Sequence, residues 1–189
     1  MGVDGEYSYD CYSIGLDPWS DTAGVRDELV AAKELVYDLC GFVCTEPVPE
    51  AESAAYAAHS FTVDGRSVRF RAAKSTPTKV GQFVTVWKRA AGGPIQPFDD
   101  TDHVDLFVIS TCERDQLGQF VFPVGVLRER GVVAGNGSAG KRAFRVYPPW
   151  VHTTNRQAGR AQAWQLDHFL HLDRDRTIDV DRARELYRR

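Results

Sequence analysis

No run of apolar residues in this sequence approaches the ~20 that span a bilayer, which argues against insertion in a membrane by a helix. The four cysteines, Cys11, Cys40, Cys44 and Cys112, form no Cys-x-x-Cys pair and no cluster with histidine. Neither a zinc site nor a disulfide framework is indicated, so free, mostly buried thiols are expected. The acidic, Gly-rich start lacks the basic and apolar regions of a signal peptide, so a cytoplasmic location is expected. No internal repeat is visible, which removes solenoids and propellers.

Two further absences concern charge. Between Arg66 and Arg89 stand seven basic residues and no acid, and between Gly131 and Leu166 stand five basic residues and again no acid. The net charge of −3 conceals this, because residues 1–52 hold twelve acids against Arg26 and Lys33. The first 52 residues therefore carry −10 and the remainder +7. If the two acid-free segments lie on adjacent strands, their fields add and attract an anionic polymer. Otherwise they are ordinary solvated edges.

What is present is enough for one folded unit. At 189 residues and 43% hydrophobic content, the chain is long enough to bury a core and too apolar to remain disordered. We divide it into a flexible acidic lead (1–21), a single domain (22–172) and a charged tail (173–189). From Thr22 to Cys40, Val25, Leu29, Ala32, Val36 and Leu39 recur at helical spacing before Gly41. Glu50 to Ala58 reads as a short helix. Ser60–Val63 and Ser67–Lys74 flank Asp64-Gly65, a strong hairpin cue, and Arg69 and Arg71 share a face. Ser75 to Lys79 reads as a polar loop and Gln82–Arg89 as a strand. Val104–Ser110 is so uniformly apolar that both faces must be covered, placing it centrally. Gln119–Val124 is its partner, followed by a short helix over Val126–Arg130 and a last strand over Arg142–Tyr147. A helix over Gln157–Leu170 precedes the tail.

Several segments then match one pattern in order: Ala72-Ala-Lys-Ser-Thr-Pro-Thr-Lys79, Gly81-Gln-Phe-Val84, Trp87-Lys-Arg89, Gly140-Lys-Arg142, Phe144-Arg-Val-Tyr-Pro148, Trp150 and Gln162-Ala-Trp-Gln165. Over roughly residues 50–172 the chain resembles the MepB family. The resemblance implies an accessory protein, the founder being encoded beside a multidrug efflux pump. It also implies an α/β restriction-endonuclease-like core, α-β-β-β-α-β with a mixed central sheet flanked by helices, and nucleic acid as partner.

Nucleases of that class need one acid near a strand's start and an acid-x-Lys on the next, to hold Mg²⁺ and position water. Asp105, opening the central strand, stands where the first acid is expected. Its partner strand offers only Gln119-Phe-Val121, and the alternative pairing of Asp64 with Ala72-Ala-Lys74 keeps the lysine but lacks the acid. A lone carboxylate is a poor Mg²⁺ site, so catalysis is disfavoured and no cofactor or metal is expected. A nuclease using Asp105 with Glu52 from the second helix, and Lys74, is the alternative, with Mg²⁺ as its cofactor. A protein-interaction accessory is a third reading. The histidines and serines show no spacing that fixes a nucleophile and base, and the loop Gly135–Gly140 lacks the phosphate-loop pattern and precedes a strand. For binding nucleic acid the candidates are Arg71, Lys74, Lys79, Lys88, Arg89, Lys141, Arg142 and Arg145 on phosphates, with Tyr147 and Trp150 for stacking. Trp150, after two prolines, is equally well read as a cap packed on the sheet end.

Overall fold

The computed structural model describes residues 27–89, 93–172 and 178–189. The lead 1–21 and the start of the first expected helix lie outside these residues.

Helix α1 begins at Asp27–Ala32, continues through a π-helical stretch, Lys33–Tyr37, and ends in an α turn, Asp38–Cys40, with Gly41 at φ 68°. The π segment changes which positions face inward. Leu29, Ala32 and Val36 are buried as the helical spacing predicts, but Leu35 and Tyr37 join them and Leu39 is exposed, because a wider turn rotates all that follows.

Among the described residues the central sheet has six strands: β1 (Val48–Pro49), β2 (His59–Val63), β3 (Arg66–Ala72), β8 (Leu106–Glu113), β9 (Gln116–Pro123) and β11 (Phe169–Leu172), in the order β1-β2-β3-β8-β9-β11. It is mixed, since β3 and β8 run parallel and the other neighbours antiparallel. The β2–β3 turn is made by Asp64 (φ 47°) and Gly65 (φ 79°), the two positive angles that match hairpin twist. As its unbroken apolar run requires, β8 is buried on both faces. Leu106 and Val108 enter one core with α1 and the helix α4 (Val180–Arg188). Phe107 and Ile109 enter the other.

A parallel pair needs a long crossover, and here the crossover is itself structured. Between β3 and β8 the chain forms β4 (Lys74–Thr76), β5 (Lys79–Thr85), β6 (Trp87–Arg89) and β7 (Ile95–Pro97). Strands β4 and β5 join β10 (Ala143–Val146) in a second sheet, ordered β10-β5-β4. Val84, Val86 and Val146 from this region pack into the second core with Leu127 of α2 (Val124–Glu129), while Trp164 of α3 (Arg156–Leu166) covers its margin. The architecture is mixed α/β with a mixed central sheet and helices.

Several expectations change. Glu50–Ala58 is a 3-10 helix, Ala51–Tyr56. The polar loop Ser75–Lys79 is largely strand: Ser75 and Thr76 belong to β4 and Lys79 opens β5, leaving Pro77 and Thr78 as the turn of the hairpin. Strand Arg142–Tyr147 exists as β10 but pairs with β5, outside the central sheet, whose last strand is β11, cut from the end of the expected final helix. The charged tail carries α4, which buries Ala183, Leu186 and Tyr187 against the first core, an amphipathic stripe masked by its many charges. Its residues 173–177 lie outside the described residues. Cys40 and Cys44 are free as expected, and burial pushes the Cys44 thiol up to about 12. Cys112, against expectation, is disulfide-bonded.

Candidate nucleic-acid interface

The two acid-free segments meet. Ala143↔Thr85, Phe144↔Val84, Arg145↔Phe83 and Val146↔Gln82 are paired across β10 and β5, and Lys74↔Phe83 continues the row onto β4. Opposed residues of antiparallel strands project to the same side. Val84 and Val146 face the core, so Lys74, Phe83 and Arg145 stand together on the outer face. The second sheet is thus built wholly from sequence without a carboxylate.

Several motif residues hold this surface in shape. Edge strand β10 is capped by Gln165 of α3, whose amide accepts from Tyr147 N (2.8 Å) and donates to Arg145 O (2.9 Å). One side chain here does the work of a neighbouring strand, satisfying edge groups that otherwise invite pairing. Gln162 donates to Pro148 O (3.0 Å) and Val151 O (2.8 Å). The Tyr147 ring lies over Gly81 (φ +79°), where a Cβ would come within 2.6 Å of two ring carbons. Arg145 donates to Gly81 O (2.8 Å) and Thr76 Oγ1 (2.7 Å), bracing the β4–β5 hairpin, with its Cζ 5.8 Å from the Phe83 ring centre.

Beside β10 runs a groove of about 320 Å³, formed with α3. Arg130, Lys141, Arg145, Tyr147 and Trp164 line it, and no lining residue is acidic. The Arg130 guanidinium lies 5.1 Å from the Trp164 ring centre. Lys74, Lys79, Lys141 and Arg142 are exposed. Among the described residues none of Lys74, Lys79, Arg130, Lys141, Arg142 and Arg145 forms a salt bridge.

The other expected cations are placed differently. Arg71 is wholly buried, ion-paired with Glu50 and donating to Phe70 O (2.8 Å); it is not available to a surface ligand, which corrects its assignment as a phosphate contact. Burial lowers its pKa, opposed by Glu50. Glu50 also meets Arg69 at 3.5 Å. Lys88 contacts Asp99 (2.9 Å) and Asp102 (2.7 Å). Arg89 is exposed but lies with Trp87 on the β6–β7 hairpin, a separate sheet. Trp150 is half-buried and packs edge-on against Phe169 at 5.6 Å, the capping arrangement.

Asp105, Glu52 and Lys74 do not form a catalytic cluster. Asp105 is exposed, its Oδ2 accepts from Ser67 N (2.8 Å), and its N donates to Ser67 O (3.0 Å). It ties together the starts of β3 and β8. Lys74 follows the opposite end of β3, beyond Ala72, so five residues at ~3.3 Å, or about 17 Å, already separate the two levels. The Asp64 pairing fails for the same reason, since Asp64 is in the turn before β3 and accepts from Val43 N. Glu52 lines a mixed-charge cleft with Glu50, Arg69, Lys88 and Asp102. No group of three or more His, Cys, Asp or Glu residues among the described residues is placed to hold a metal ion.

Sequence reasoning missed Tyr56 and Phe83 as surface aromatics. The alternation of β5, with Gln82 and Val84 in and Gly81, Phe83 and Thr85 out, was the available signal. No helix among the described residues is long and apolar enough to cross a membrane.

None of the curated proteins matches this chain. Among solved structures, the crystal structure of MepB is similar at 34% identity, covering 68% of this chain and 86% of that one with a TM-score of 0.65. The MepB-like family model matches residues 50–171, a span that includes the central sheet from β2 to β11, all of the second sheet and the glutamines that cap it. This chain belongs to the MepB-like family.

Proposed function

We propose that the protein binds nucleic acid without cutting it, through the second sheet and the groove beside β10. The observation that carries this reading is the pairing of β5 with β10, which brings two acid-free segments onto one surface. Cations there lack carboxylate partners, so their charge is free to neutralise phosphates. The hydroxyl-bearing stretch Ser75–Thr78, the end of β4 and the turn after it, adds donors beside Lys79. Against a metal-dependent nuclease stands the separation of Asp105 from Lys74 along β3. A restriction-endonuclease-like scaffold is supported by the helix, hairpin and central strand pair; the departure of β10 to a second sheet is where the chain differs from the expected order.

The test is a salt titration of binding to labelled single- and double-stranded oligonucleotides. Phosphate contacts require affinity that falls steeply as salt rises, with a slope that shrinks by about one to two in a Lys141→Ala/Arg142→Ala double variant. Absence of binding to both probes at low salt overturns the reading.

A further inference from the structure

Tyr56 and Phe83 belong to neither core. Both are half-buried, and their ring centres lie 6.1 Å apart at 59°. Lys74 Nζ stands 5.3 Å from the Tyr56 ring centre, and Arg145 Cζ 5.8 Å from that of Phe83. The outer face of the second sheet, with Tyr56 of the 3-10 helix beside it, therefore carries a row of cation, ring, ring, cation, and Tyr147 lies two positions further along over Gly81. Strands ~4.8 Å apart give the three-strand row Lys74–Phe83–Arg145 a span of about 10 Å.

Such a row has two chemical capabilities. Its cations attract phosphates, and its rings accept another flat π-system. A duplex offers phosphates but keeps its base faces stacked on one another. An unpaired strand offers both. We propose that this face is a stacking platform for single-stranded nucleic acid, with Phe83 as the central ring and Lys74 and Arg145 flanking the backbone that passes over it. The inference rests on the nucleic-acid reading above and adds the strandedness of the ligand and the residue that recognises it. Charge complementarity selects this occupant: no acid exists in β4, β5 or β10, and none of Lys74, Lys79 and Arg145 is ion-paired among the described residues, so a polyanion finds free cations; the pocket that Glu113 lines with Thr76 and Lys79 does not include Lys74, Phe83 or Arg145. Ring stacking is worth enough per base to dominate the discrimination and is indifferent to sequence, so a preference for single strands without a strong base preference follows.

The experiment compares a labelled oligothymidylate with a duplex of equal length, using the full chain and three substitutions at one site. Phe83→Leu keeps apolar bulk and removes the ring, Phe83→Ala removes both, and Phe83→Tyr keeps the ring; thermal melts establish that each variant folds. The parent is expected to prefer the single strand. Phe83→Leu and Phe83→Ala are expected to weaken that binding by about fivefold to about a hundredfold, Phe83→Tyr to restore it, and the salt slope to stay unchanged. If the parent binds the duplex as tightly, or Phe83→Leu binds the single strand as the parent does, the platform is overturned while binding itself stands. If the parent binds neither probe, the underlying reading falls and this inference with it.

Discussion

Arg71 on β3 and Arg145 on β10 both project from strands beside a half-buried ring or core, yet they occupy opposite electrostatic situations. Arg71 is fully buried and faces Glu50, which also reaches Arg69. Arg145 is half-buried, meets only carbonyl and hydroxyl oxygens, and sits among other cations. In the first region the charges are consumed within the fold. In the second they are left over, so they can act on something outside it. The carboxylate is what separates the two: Glu50 enters the first region from the residue just before the 3-10 helix, and among the described residues no acid forms an ion pair with Arg145, Lys74 or Lys79.

Breaking the first region should give the largest effect. Glu50→Ala leaves the Arg71 guanidinium buried without a counter-ion, and the loss of one partner from such a pair typically costs about 3–5 kcal/mol. Chemical denaturation should report a fall of that size, while oligonucleotide affinity of the remaining folded protein should change little. A variant that stays stable but loses binding would place Glu50's cleft, rather than the second sheet, at the interface.

The second region should respond in the reverse sense. Lys141→Ala/Arg142→Ala removes exposed, unpaired charges, so stability should move by no more than about 0.5 kcal/mol. Affinity for a single strand should drop several-fold at low salt, with the difference shrinking as salt is added, because the lost contacts are those that salt weakens. Equal loss at every salt concentration would mean that the pair acts by shaping the groove and not by charge.

Much of this division could be read in the sequence, and the unread part has a physical cause. The acid-free segments were visible as composition, and the buried central strand as an unbroken apolar run whose two faces enter two cores. The Asp64-Gly65 turn was legible because few residues adopt its angles. What composition could not supply was partnership: Arg69 and Arg71 lie in the same acid-free stretch as Lys74 and Lys79, and the approach of Glu50 from about twenty positions upstream distinguishes them. The second sheet was hidden because β10 pairs with a strand about sixty residues earlier, and sequence periodicity carries no information about such pairing. Helix α4 was hidden by its charges, and β11 by its continuity with the preceding helical pattern. Phe83 reads from the sequence as a packed residue on the strand face it shares with Trp87, because spacing alone does not tell a sheet's outer face from its inner one; Trp150 does pack against Phe169 and Trp164 against Phe122.

Asp105 offers a smaller test. Its carboxylate receives the Ser67 N–H at an exposed position, so Asp105→Ala should cost about 0.5–1.5 kcal/mol and Asp105→Asn, which keeps an acceptor oxygen, less. Neither substitution should alter nucleic-acid affinity. Mg²⁺- or Mn²⁺-dependent cleavage by the parent that vanishes in Asp105→Asn would restore the nuclease reading, and would require Asp105 to leave the strand junction it now ties.

The smallest effect concerns Lys88, which lies between the two situations: a cation near the surface, but paired. Thr101 donates to Asp99 through its hydroxyl and backbone, and Lys88 donates to the other carboxylate oxygen, which together hold Asp99 down to about 2. Partial burial lowers the Lys88 pKa, but its bonds to Asp102 and Asp99 outweigh this and leave it raised. A carboxyl depressed in the folded state contributes stability that is present above its unfolded value near 3.8 and is lost as pH falls toward 2. Because more than a third of the Asp99 side chain is exposed, screening limits the contribution to at most ~1 kcal/mol. Denaturation of the parent and of Asp99→Asn across that acid window should therefore converge as the pH drops. If the difference between them instead stays constant through the window, Asp99 does not hold Lys88, and Asp102, 2.7 Å from the ammonium, is the carboxylate that keeps this cation within the fold.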